Sequence, residues 1–468
     1  MTRIDGYRGI LTFEVEEPWI PVQSRPEIEL MATMPPVEGE FPPNIVVTVN
    51  PYSGSLADFS RRATAAIVRD LREGRIVDVD DWSFDVGAAA LDSGTDPDAE
   101  EPTPGGSGRL IEYTHRIEEG IVVSGADYLV VREGWAIQIS TTTGLPTRMI
   151  FDEILQSMAR TIAVLRAPEP GDAADVPALA APVSDDLACA ELGGDREALF
   201  DWLAAGASIG EGTWMSGEAL ARTAELQDAV VGRLGGGMDP VISELKELGV
   251  LEGGRLSDLG EVISVALTDA QVRVRLTGRF MRGETLFQAF IIGGAAVVAA
   301  EQGYGPRVLN QPWTPDDATL FNVQILPVAE LTSTMMRWAG AGPAWNLHLE
   351  DPTISPEVFE ERIAGEAGGS GMPGAVGQSL WQQPWFTWVF EIEAPDEEHG
   401  AREFAPLTFV NAGPRGNYRV GLVETDAGSD SAWRAGDVLL WPTDSGFIQR
   451  QLEDHVQAAV LERPVVLA

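Results

Sequence analysis

Lysine, cysteine and histidine are scarce in these 468 residues: one lysine, Lys246, one cysteine, Cys189, and four histidines. A single cysteine closes no internal disulfide, so a reducing compartment is the natural reading. His115, His348, His399 and His455 stand apart, without H-x-x-x-H or C-x-x-C spacing, and no metal site is expected from them. Positive charge is short as well. The 32 basic residues face 72 acidic ones, giving a net charge of −40, and a field of that sign repels nucleic acid and anionic membrane surfaces alike. The longest apolar run, around 289–300, is broken by Gly293-Gly294 and is too short to span a bilayer. The N-terminus, MTRIDGYRGILTFEVEEPW, has no charged segment leading into an apolar one, and Cys189 is far from any lipid-attachment position. A cytoplasmic location without membrane insertion is expected.

What is present is a substantial apolar fraction, 44%, in a chain longer than one hydrophobic core usually supports. Residues 10–17 alternate, with Ile10, Leu11, Phe13 and Val15 as the apolar set, and Pro18-Trp19 closes that strand. Strands follow at 27–34 and 45–49, then an amphipathic helix over 56–72. Its apolar side carries Phe59, Ala63, Ile67 and Leu71, and its polar side Arg61, Arg62, Arg69 and Arg72. Strand-like pieces at 75–80, 82–88, 108–116, 121–131 and 134–143 are interrupted by the acidic, Pro/Gly-rich LDSGTDPDAEEPTPGGSG. A helix over 148–165 closes the unit. The order, together with FEVEEPW, FPPNIVVTV and GRLIEYTHRIEEGIVVSGADYLVVREGWAIQISTTT, resembles the PsbP-like fold, in particular its LpqN-type branch. That resemblance implies a non-catalytic binding platform over residues 1–167. The exported character of LpqN-like proteins does not carry over, since this chain lacks their signal.

A linker, 168–187, leads to a second part, 188–468. Helices are expected at 195–205 and 217–234. The stretch SELKELGVLEGGRLSDLGEVISVALTDAQVRVRLTGRFMRGETLFQAFIIGGAA then reads as helix, Gly249 stop, Ser257-capped helix and hairpin. Its beginning is similar to the second half of a winged helix, a DNA-binding reading that the net charge disfavours. The whole run resembles the EspG family of actinobacterial type VII secretion, as does a later helix at 328–339, and a strand is expected at 319–327. Strands at 385–393, 404–411, 417–424 and 436–441 and a final helix capped by Asp444 or Ser445 complete the part. A strand-then-helix ending at both 319–339 and 436–461 suggests the internal pseudo-symmetry that EspG-like proteins have. The fold class expected is α+β in two parts, an antiparallel PsbP-like sheet with packed helices and an EspG-like mixed region.

Chemistry-bearing motifs are few. GASIG, 206–210, fits G-x-S-x-G, but a helix precedes it where a strand is needed, so a hydrolase using Ser208 is the alternative rather than the main reading. LDSGT and TDSGF lack the apolar strand pairs of an aspartic protease, and DVDD at 78–81 lacks the glycine and glutamate of a calcium loop. No phosphate-cradling or dinucleotide motif is present, and no catalytic residue or cofactor is expected. Trp381, Trp385 and Trp388 are expected mainly in the core, with an exposed aromatic patch as the other reading. Residues 96–106 and 364–377 are expected to be mobile. The EspG resemblance implies a non-enzymatic adaptor for small helical secretion substrates of the WXG type. In it the hairpin is a partner-contacting element, with Arg279, Phe280, Met281 and Arg282 at a tip spanning 278–283.

Overall fold

Period-two burial makes antiparallel sheet the framework throughout. The computed structural model describes residues 2–22, 28–37, 41–84, 106–118, 120–169, 172, 183–226, 239–312, 320–366, 371–396, 400–423 and 436–461. The chain divides into two compact units, Met1–Trp202 and Leu203–Ala468. The expected loop at 96–106 lies almost wholly outside the described residues.

The first unit runs β1 (Thr2–Asp5), β2 (Leu11–Val15), β3 (Ile20–Val22), β4 (Leu30–Thr33), β5 (Asn44–Pro51), α1 (Leu56–Asp70), β6 (Arg75–Phe84), β7 (Gly106–Arg116), β8 (Val122–Arg132), β9 (Trp135–Gly144), α2 (Arg148–Arg160), β10 (Ala163–Val164) and α3 (Asp186–Leu192). Seven strands form one sheet in the order β3-β4-β5-β9-β8-β7-β6, and β1-β2-β10 form a small separate one. Ile45, Val47, Ile137 and Ile139 pack with Leu155 and Met158 of α2 in the core. Ser55 caps α1 by accepting from the Asp58 amide, as a helix start with an acidic first turn favours.

Two expectations are corrected here. The helix predicted over 148–165 stops at Arg160, because the Thr161 hydroxyl donates to Met158 O and accepts from the Glu14 amide, turning the chain into β10 alongside β2. The helix predicted over 195–205 begins only at Phe200, because Glu197 is held in an extended bridge with Ser184. Arg109 fastens this stretch. Its guanidinium is buried with Asp81, with Glu197 at 3.3 Å and with the Asp195 carbonyl at 2.9 Å. Residues 183–202 therefore fall in the first unit, where sequence grouped 188 onward with the second.

The division falls within α4 (Phe200–Gly206). The second unit continues with β11 (Thr213–Met215), α5 (Gly217–Glu225), α6 (Pro240–Glu247), β12 (Leu251–Glu252), β13 (Arg255–Leu256), α7 (Asp258–Asp269), β14 (Val272–Phe280), β15 (Gly283–Ile292), β16 (Ala295–Ala300), α8 (Tyr304–Val308), β17 (Phe321–Pro327) and α9 (Val328–Ala339). It ends with β18 (Thr353–Ile354), α10 (Pro356–Ile363), α11 (Gly374–Gln382), β19 (Phe386–Asp396), β20 (Gly400–Glu403), β21 (Leu407–Asn411), β22 (Asn417–Leu422), β23 (Val438–Thr443) and α12 (Ser445–Val460). Gly249 ends the α6 turn at φ 69° and the Ser257 hydroxyl caps α7, both as expected. Of the predicted helix 217–234, α5 occupies the first part, and 227–238 lie outside the described residues.

The eleven-stranded sheet of this unit is built twice over. Its order is β11-β17-β16-β15-β14-β19-β21-β22-β23-β18, with β20 extending β19. Each half is a short edge strand and a Ser-capped helix, then a four-stranded meander beginning at the centre, then a helix. The halves meet at the antiparallel pair β14–β19, where Leu276 opposes Phe390. The local two-fold of such a pair relates them. The sequence echoes it: Met215-Ser216-Gly217-Glu218 and Ile354-Ser355-Pro356-Glu357 place a buried apolar residue before a capping serine in each half, with Leu220 and Phe359 buried one turn on. The α9 helix sets Trp338 against Phe287 and Phe386, and α12 sets His455 against Phe390, on one sheet face. Alternation puts Arg273, Arg275, Glu391 and Glu393 on the opposite face. On that second face Val297, Ala299 and Val323 form a core with Leu245, Ile263 and Ala266 of α6 and α7.

The predicted mobile stretch 364–377 is corrected in part. Residues 367–370 are outside the described residues, but 374–377 open α11, and Met372 and Val376 are buried. Gly377 permits this, since a Cβ there would stand 2.9 Å from Met372 Cβ.

Candidate functional site

The hairpin of β14 and β15 carries the residues singled out in sequence. Its ladder is unbroken from Val272↔Ile291 to Phe280↔Gly283, leaving Met281 and Arg282 as a two-residue turn. The tip expected over 278–283 is therefore tighter than its glycines suggested. Gly278 is a strand residue whose absent side chain makes room for its neighbours: a Cβ there would lie 2.6 Å from Phe386 and 2.9 Å from Trp338. Phe280 is half-buried in the strand, whereas Met281 is 57% exposed.

Met281 also takes φ 53°, a left-handed conformation that costs a residue with a Cβ about 1 kcal/mol or more. An exposed apolar side chain at a strained turn gains nothing from its own core. It leans toward Gly365, where an added Cβ would meet Met281 Cγ at 3.4 Å. The two arginines are engaged. Arg279 pairs with Glu360 of α10 at 3.2 Å and lies 3.9 Å from Glu284, and Arg282 pairs with Glu366 at 2.5 Å. The positive charge expected at the tip is thus largely neutralised by carboxylates far along the chain.

Nothing in the sequence pointed to those partners, because Glu360 sits in a stretch with no element assigned and Glu366 in one expected to be mobile. Trp381, Trp385 and Trp388 form no exposed patch, since all three are buried. Trp381 and Trp385 meet edge to face with ring centroids 5.5 Å apart, and the Arg362 guanidinium lies 5.2 Å from the Trp385 ring. Trp388 stacks on Phe409 at 4.5 Å. Ser208 lies in the loop between α4 and β11, with a helix before it and no strand, so the sharp strand-to-helix turn of a nucleophile elbow is not formed there. Among the described residues no group of three or more His, Cys, Asp and Glu side chains is arranged to hold a metal ion. No helix among them is long and apolar enough to cross a membrane.

No family model and no curated protein matches the chain. Among solved structures it is similar to cyanobacterial PsbP from Synechocystis, at 13% identity over 35% of this chain and 92% of that one, with a TM-score of 0.26. LpqN of Mycobacterium tuberculosis, described as involved in cell envelope biogenesis, gives 10% identity over 35% and 90%, with a TM-score of 0.26. The Ran-binding protein Mog1p of Saccharomyces cerevisiae gives 13% over 35% and 94%, with a TM-score of 0.23.

Proposed function

We propose that the chain is a non-enzymatic binding protein of type VII secretion, an EspG-like cytoplasmic adaptor that holds small helical export substrates of the WXG type. In this reading the tip formed by Arg279, Phe280, Met281 and Arg282 contacts the substrate. The observation that carries it is Met281, an exposed apolar side chain kept at a strained turn. The doubled meander-and-helix plan of the second unit supports it too, because pseudo-symmetry is what the EspG resemblance implies. Pairing of the arginines does not stand against it. Exposed ion pairs contribute at most about 1 kcal/mol, so carboxylates of an acidic partner can replace Glu360 or Glu366 at small cost.

The test is Met281→Asn, because asparagine tolerates positive φ and lacks the apolar group. Co-purification with a small helical protein encoded beside this chain's gene should weaken at least tenfold, about 1.4 kcal/mol. Thermal stability should hold or rise. Undiminished binding would remove the tip from the interface.

A further inference from the structure

The loop that carries GASIG walls a cleft of about 390 Å³, within the range of small-ligand sites. Its lining joins Ile209, Trp214, Pro306, Pro312 and Trp338 to one carboxylate, Glu211. Glu211 alone ionises among the described residues that line it.

The hydrogen-bonding groups are sorted by kind. The Gln311 side chain donates to Ala204 O at 2.7 Å, Asn322 donates to Gly210 O at 3.4 Å, and the Trp338 indole donates to Glu301 O at 2.9 Å. These three side-chain donors are therefore turned to the protein's own carbonyls, while Glu211 and Ser208 are exposed residues of the lining. A ligand that brings donors can bond the Glu211 carboxylate. Trp214 and two prolines supply apolar and π surface, to which a cation on a hydrocarbon stem is well matched. The net charge of −40 concentrates cations around the molecule and opposes anions.

We propose that this cleft binds a guanidinium or alkylammonium group carried on an apolar stem, with Glu211 as counter-charge and Trp214, Pro306 and Pro312 as walls. The proposal does not depend on the role given to the β14–β15 tip, and Met281→Asn should leave it unchanged. Two sources share the chemistry, an arginine or lysine side chain of a peptide and a free polyamine.

Calorimetry and tryptophan fluorescence on the full chain test it with ethylguanidinium, with spermidine, and with a short arginine peptide beside its neutral citrulline counterpart. Saturable binding is expected for the cations, with the arginine peptide at least tenfold tighter than the citrulline one. Glu211 is on the surface, so Glu211→Gln should fold with an unchanged melting temperature and bind each cation at least fivefold more weakly. An arginine peptide tighter than ethylguanidinium and spermidine identifies a protein side chain as the ligand, and spermidine as the tightest identifies a free amine. Equal binding of the arginine and citrulline peptides, undiminished binding by Glu211→Gln, or no saturable binding of any cation overturns the proposal.

Discussion

At the scale of single residues, the first unit keeps an ionisable group where a neutral one would serve. Asp127 on β8 alternates with Ala126 and Tyr128, so it faces away from the apolar core those two join, and it is buried. Gln138 donates to it at 2.7 Å and the Tyr113 hydroxyl at 3.3 Å. Burial pushes its carboxyl up to about 6, against hydrogen bonds from Ser140, Tyr113 and Gln138 that pull it down. A folded-state value above the ordinary 3.8 means that the folded chain holds this proton more tightly than the unfolded one. Its contribution to stability is thus fully present below about pH 4 and is lost as pH rises through 6. Asp127→Asn should accordingly stabilise the first unit at pH 8, by up to about 3 kcal/mol if the full shift is recovered, and leave it nearly unchanged at pH 4. Urea midpoints at the two pH values check this, and an equal effect at both would show that the carboxyl is not the group that titrates.

At the scale of elements, the repeated capping serines separate what a motif supplies from what its surroundings add. Ser355 accepts from the Val358 amide at 3.4 Å. Ser216 accepts from Ala219 at 3.1 Å, and in addition Glu244 of α6 receives its hydroxyl at 2.7 Å and its backbone amide at 2.6 Å. Ser355→Ala should cost about 0.5–1 kcal/mol, the ordinary loss of a cap, since its further hydrogen bond to the Glu357 carboxylate is exposed to water. Ser216→Ala should cost about 2 kcal/mol, because the Glu244 carboxylate also loses a charge-assisted bond. Denaturant midpoints with unchanged slopes measure both, and equal losses would show that Glu244 adds nothing. The same distinction decides which elements were legible in sequence. The 328–339 helix and the β14–β15 ladder declare themselves through their own period. By contrast α11 opens in a run of glycine, alanine and proline with no such period, and it is helical because Met372 and Val376 find a core. Gly278 imitates a turn residue, yet its smallness is required by Trp338 and Phe386, both far along the chain from it. For the candidate site, Met281 was visible as an apolar residue between glycines. The carboxylates that occupy Arg279 and Arg282 were not, because only folding brings 360 and 366 to the tip.

At the scale of the whole molecule, composition argued for more than one core, and the question is where the first one ends. A proline- and alanine-rich stretch placed the break near 168–187, and composition is blind to a long-range ion pair. Arg109 is buried, and its partner Glu197 is equally buried, so the two charges must stay together once taken out of water. Asp81, a further partner of Arg109, is 45% exposed and is shared with Arg196 at 2.7 Å. A chain ending at 187 would keep Arg109 and Asp81 but lose Glu197 and Arg196. The Arg109 guanidinium would lose Glu197 and the Asp195 carbonyl, at a cost of about 2 kcal/mol, less than the full loss of a buried pair because Asp81 stays. A chain of residues 1–202 should therefore unfold in one cooperative step, and a chain of residues 1–187 should unfold at lower denaturant. Glu197→Gln in the longer chain should reproduce most of that loss. If both lengths are equally stable, the segment from 183 to 202 is a passenger on the first unit, and the boundary belongs where composition put it.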